Sequence, residues 1–155
     1  MDDSRFQLVT DWKLTAPLDA VWKAISCVED WPAWWPSVRA VAPLVQGDDE
    51  GLGAVHRFTW TTALPYSLTL DMTVTRIDPH VRIEGRATGD LEGLGIWTFR
   101  HEAGVTLARY DWRVDVTEPW MRHLAPLLEP VFKWNHGVVM RRGYRGLCGY
   151  LAAPS

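Results

Sequence analysis

The stretch Ala108-Arg109-Tyr110-Asp111-Trp112-Arg113-Val114-Asp115-Val116 decides the fold, because every second residue is apolar and every residue between is charged. A period of two belongs to an extended strand, whose successive side chains leave opposite faces. Such a strand is wet on one face and needs a cover on the other. The same alternation stands upstream, where Leu68, Leu70, Met72 and Val74 oppose Thr69, Asp71, Thr73 and Thr75. Working outward, strand patterns fill 38–45, 54–62, 66–77, 81–88, 93–102 and 105–117. Short turn segments separate them, among them Gly47-Asp48-Asp49-Glu50-Gly51, Asp78-Pro79-His80 and Ala103-Gly104. Links this short join antiparallel neighbours, since a parallel crossover needs about a dozen residues.

Ahead of these runs lies one more strand, with Phe6, Leu8, Trp12 and Leu14 on one face and Gln7, Asp11 and Lys13 on the other. At Ala16-Pro17 the period changes. Leu18, Val21, Trp22 and Ile25 recur at helical spacing, which predicts a short helix from about 17 to 27 with Pro17 in its first turn. The segment Trp31-Pro32-Ala33-Trp34-Trp35-Pro36 predicts a second, very short helix that Pro36 stops. It lacks exposed basic positions, so the pair is no DNA-reading motif.

The cover for the apolar face is the C-terminal segment. Pro119 opens a first helical piece, Pro126 and Pro130 interrupt or restart it, and a longer helix runs to about residue 151. Phe132, Asn135, Val139 and Tyr144 share one stripe of that helix, flanked by Val131, Val138 and Leu147. Arg141, Arg142 and Arg145 fall toward solvent. The chain therefore reads as one α+β domain over 1–155: a curved antiparallel sheet packed on a long C-terminal helix.

Composition narrows the function. A net charge of −3, with scattered Lys and Arg, offers no electrostatic footprint for nucleic acid. Ten tryptophans require many ring-sized spaces, either in the core or around a cavity. Cys27 and Cys148 lie far apart without metal or redox spacing and read as free thiols. No apolar h-region opens the chain and no run of about 18 apolar residues occurs, so the expectation is a cytoplasmic protein without stable membrane insertion. Its oligomeric state stays open.

The residues Ala16-Pro17, Val21-Trp22, Trp31-Pro32-Ala33-Trp34-Trp35-Pro36 and Trp134-Asn135-His136, in the order strand, two small helices, six strands and long helix, make the chain resemble the START-like (SRPBCC) superfamily. The resemblance is to its polyketide cyclase/dehydrase and lipid transport branch, and it covers essentially the whole chain. It implies a helix-grip fold, in which a seven-stranded sheet wraps the C-terminal helix around a deep cavity. It further implies a small hydrophobic ligand: a lipid, a polyketide or another aromatic compound. A minority of such proteins catalyse cyclisation, aromatisation or dehydration. The motifs that carry the resemblance are structural, so they point to a fold more than to a reaction.

The strand alternation and the helix stripe name the candidate pocket wall: His56, Phe58, Trp60, Met72, Trp97, Phe99, Tyr110, Trp112, Phe132 and Asn135. Apolar walls with a few fixed polar groups are the usual composition of a small-molecule site. His56, Tyr110 and Asn135 are the weak catalytic candidates, able to move protons or polarise carbonyls. Tyr66 offers a further phenol. His136 adjoins Asn135 about 100° away on the helix, which makes Asn135 the better inward choice. Arg57, Glu84 and Arg86 alternate outward, toward solvent. No G-x-S-x-G elbow, metal-ligand spacing or dinucleotide fingerprint occurs, so neither a metal nor a cofactor is expected. Two readings follow: a binding or carrier protein, or a cyclase, aromatase or dehydratase that works without metal or nucleotide. A third places the tryptophan-rich turn 31–36 at a lipid or protein surface.

Overall fold

The computed structural model describes residues 5–63, 65, 67–115 and 123–152. In chain order the elements are β1 (Arg5–Leu14), α1 (Leu18–Ser26), a 3-10 turn (Val28–Asp30), α2 (Trp31–Trp34), β2 (Val38–Val45), β3 (Val55–Thr61), β4 (Ser67–Asp78), β5 (Arg82–Gly89), β6 (Glu92–Glu102), β7 (Val105–Asp115) and α3 (Ala125–Ala152). The seven strands form one antiparallel sheet in the order β1-β7-β6-β5-β4-β3-β2. From β2 onward each strand pairs with its successor, and β1 forms the far edge by pairing with β7 in unbroken register from Arg5↔Asp115 to Leu14↔Thr106. Bulges in the β2–β3 and β4–β5 ladders help curve the sheet.

Both small helices and α3 lie on the apolar side of the sheet. Pro17 stands at the N-cap of α1 with extended backbone, one position before the helix proper. Trp31, Trp34 and Trp35 are all buried and meet Trp12, Trp97 and Phe58 in one aromatic cluster. A surface role for the 31–36 turn is thereby corrected: its rings are core. The Trp31 indole N–H donates to the Ile25 carbonyl at 3.1 Å, and that of Trp35 donates to the Val139 carbonyl on α3 at 2.9 Å. Among the described residues the indole N–H groups of Trp12 and Trp34 have no hydrogen-bond partner, and the two rings sit edge to face at 6.4 Å.

Gly143 and Gly146 make this packing possible. A Cβ on Gly143 would fall 2.4 Å from the Trp35 ring, and one on Gly146 only 1.6 Å from the Trp34 carbonyl oxygen. The two glycines, three apart on one helical face, form a notch that seats the tryptophan turn.

The helix itself departs from expectation. Pro126 and Pro130 do not break it, and α3 runs unbroken with Pro130 inside. Pro126 occupies the first turn, where an N–H has no helical acceptor anyway. Pro130 then withdraws a single bond, the one to the carbonyl of residue 126. The helical piece expected at Pro119 and the strand end at 116–117 fall outside the described residues.

Candidate functional site

Between the concave sheet and α3 lies a cavity of about 670 Å³, within the range of small-molecule sites. His56, Phe58 and Trp60 on β3, Met72 on β4, Trp97 on β6, Tyr110 and Trp112 on β7, and Phe132 and Asn135 on α3 all border it. Phe99 does not. It is buried behind the wall, edge to face with Trp22 at 5.1 Å and stacked on Trp97 at 6.3 Å. Position 99 has the same alternation as 97, but it lies one step nearer the end of the sheet where α1 covers it. Tyr66 lies outside the described residues.

Sequence patterning missed several wall residues. Trp22, Trp31 and Trp35 reach the cavity from the small helices and the turn after them, as do Ile83 from β5 and Val139 and Met140 from α3. Leu70 carries the same alternation as Met72, so that signal was present. The inward reach of the tryptophan turn depends on the Gly143–Gly146 notch, a tertiary contact that no local pattern reports.

The tryptophans thus divide. Trp12 and Trp34 are buried without bordering the cavity, whereas Trp31, Trp35, Trp97 and Trp112 are buried core that also borders it, as do the half-buried Trp22 and Trp60.

Two polar side chains of the cavity, Tyr110 and His136, meet where β7 faces α3. Tyr110 lies against Trp97 at 4.6 Å and is stacked with Trp112 and with the His136 ring, both at 6.3 Å. Gly95 clears room for its phenol, since a Cβ there would stand 2.5 Å from the Tyr110 oxygen. Burial pushes the Tyr110 phenol up, so it stays protonated and able to donate. His136 also borders the cavity, so both neighbours on the helix reach it. Its Nε2 lies 3.4 Å from the Thr10 hydroxyl, and burial drives its pKa down to about 4. Asn135 is 8% exposed, and its Oδ1 accepts from the Ala63 N–H at 2.8 Å. That bond ties the β3–β4 connection to α3 and fixes the orientation of the Asn135 amide.

On the outer face, Arg57 holds Asp71 by two contacts of 2.8 and 3.0 Å, exposed as expected. Asp71 is held below the usual carboxylate range chiefly by that hydrogen bond. Glu84 differs from the solvated residue expected. Its side chain is only 19% exposed and pairs with Arg82. Among the described residues no group of three or more His, Cys, Asp or Glu could hold a metal ion.

The family model for polyketide cyclase / dehydrase and lipid transport matches residues 5–149. The chain belongs to that family. Solved structures agree on the fold. TTHA0849 from Thermus thermophilus is 15% identical with a TM-score of 0.76, the match covering 94% of this chain and 99% of that one. A START superfamily protein from Mycobacterium smegmatis is 17% identical with a TM-score of 0.76, covering 94% and 96%. The Zhui aromatase/cyclase from Streptomyces sp. R1128 is 14% identical with a TM-score of 0.74, covering 95% and 93%. No curated protein sequence matches the chain. At these identities the family member shares a helix-grip fold with its neighbours, and its chemistry must be argued from its own cavity.

Proposed function

We propose that this protein binds a small hydrophobic molecule, such as a lipid, a polyketide or another aromatic compound, in the cavity between sheet and α3. One observation carries the reading: the polar groups on the β7–α3 side are held neutral. An imidazole with a pKa of about 4 is a feeble base near pH 7, and a phenol pushed up by burial does not ionise there. Both serve better to hold a ligand oxygen than to move a proton. Together with the amide of Asn135, which borders the cavity beside the β3–β4 connection, they give an aromatic-lined chamber a few fixed polar groups, which suits an apolar ligand carrying a carbonyl or hydroxyl. Native mass spectrometry of freshly purified protein should find such a molecule retained, and an apolar fluorescent dye should bind the stripped protein and be displaced by it. A stripped protein that takes up no dye would end this reading.

The second reading is a cyclase, aromatase or dehydratase that folds a poly-ketone for ring closure. What favours it is His56, a half-buried imidazole that borders the cavity from β3, opposite Met72 in the ladder. Much of the rate would then come from holding the chain in a productive conformation. His56→Ala should abolish turnover of a poly-ketone and leave dye binding intact. An unchanged rate removes His56 from any mechanism.

A further inference from the structure

The outward face of α3 has features that the cavity does not use. Leu124, just before the helix, is exposed together with Leu127, Val131 and Trp134 on it, and Leu127 and Trp134 are 71% and 55% accessible. Their spacing of three, four and three residues puts them on one side of the helix. Two turns beyond Trp134 the same line continues through Arg141 and its neighbour Arg142, and one turn further through Arg145, all exposed. Among the described residues no carboxylate pairs with any of these three arginines, whereas Lys133 pairs with Glu129 at 3.2 Å. From Ala125 to Ala152 there are four basic side chains against one carboxylate, a net of +3 in a chain whose net is −3. One helix therefore carries, on a single side, a run of exposed apolar side chains followed by a net positive charge in an acidic protein.

We propose that this face of α3 docks on an anionic lipid bilayer. An outward stripe of leucine, valine and tryptophan, followed by arginines that no carboxylate pairs among the described residues, offers a bilayer one apolar and one cationic contact. The apolar half enters the headgroup boundary while the arginines meet lipid phosphates. The stripe is convex, which suits fluid acyl chains better than the concave hot-spot pockets of a protein partner. Val131 belongs to both features, bordering the cavity and standing exposed in the stripe. Because Val131 is exposed while bordering the cavity, the chamber comes to the surface at the docking face. An apolar ligand crossing there passes between cavity and bilayer with little exposure to water. Bilayer docking does not depend on which ligand the cavity holds, and the two readings fail separately.

Vesicle flotation tests it, with vesicles of phosphatidylcholine alone and of phosphatidylcholine mixed with phosphatidylglycerol. The wild-type protein should float with the mixed vesicles, not with the neutral ones, and should be released by high salt. The double variants Leu127→Ser/Trp134→Ser and Arg141→Glu/Arg145→Glu change only exposed positions, so both should keep the wild-type circular dichroism and dye binding. Each should bind mixed vesicles at least tenfold more weakly. The proposal is overturned by absent flotation, by equal flotation with neutral vesicles, or by variants that float like the wild type. It is also overturned if the wild type is a dimer that Leu127→Ser/Trp134→Ser dissociates, since a second copy would then cover the stripe.

Discussion

His136 shows at the scale of one residue how surroundings decide chemistry. Beside Asn135 in the sequence it reads as the worse inward candidate, yet both border the cavity, because a helix lying along a concave sheet presents a broad face to it. Burial among Tyr110, Thr10 and the aromatic wall keeps the ring neutral, with a pKa of about 4. The unfolded chain takes up the proton near the ordinary histidine value of about 6.5, so between these two values the unfolded state binds more protons than the folded one. The stability tied to neutral His136 is therefore complete above about pH 6.5 and is lost as the pH falls toward about 4. The loss should be roughly 2 kcal/mol, less than the full shift implies because the ring borders a cavity rather than solid core. Urea unfolding from pH 7.5 to 4 should show His136→Phe, which keeps the ring contact and cannot titrate, losing that much less stability than wild type. Parallel profiles for the two proteins would mean that the imidazole is not buried as described.

At the scale of elements, the strands were legible and the helix contacts were not. Alternation such as Leu68 to Val74 depends only on a sheet having one wet and one dry face, so it survives in the sequence. The notch at Gly143 and Gly146 leaves no such trace, because a glycine in a helix pattern looks like a local weakness. Its reason lies more than a hundred positions upstream, in Trp34 and Trp35. Pro130 misled for the opposite cause: its local rule is strong, but it removes one bond near the start of a helix anchored along its length. Glycine substitutions separate the local rule from the tertiary one. Gly146→Ala should gain about 1 kcal/mol in helix propensity. It should nonetheless destabilise the protein by roughly 2 kcal/mol net, since its Cβ would press on the Trp34 carbonyl, which is backbone and cannot swing aside. Gly149→Ala, with nothing within 4 Å of the added carbon, should be neutral or stabilising by up to about 1 kcal/mol. Urea midpoints give both signs, and equal effects at 146 and 149 would discard the notch.

For the whole molecule, the hollow between sheet and helix is the property that patterning could not supply. An inward Trp or Met satisfies the same period whether it meets another side chain or an empty space, so the wall at Phe58, Trp97 and Trp112 was legible and its hollowness was not. Phe99 marks the limit, indistinguishable from Trp97 by alternation yet buried behind the rings of Trp22 and Trp97. A chamber of about 670 Å³ also bears on stability, because side chains around an unfilled volume forgo the dispersion contacts of a packed core. A ligand that fills it restores them in the native state alone. At a hundredfold excess over its dissociation constant such a ligand adds about 2.7 kcal/mol. For a domain of this size that corresponds to a rise in Tm of roughly 5–10 °C. Protein stripped of bound hydrophobic molecules should melt lower than protein as purified, and adding back the retained compound should restore the higher Tm in a concentration-dependent way. A compound that displaces the dye yet leaves Tm unmoved at saturation must bind folded and unfolded chains alike, and the cavity would then not be its site.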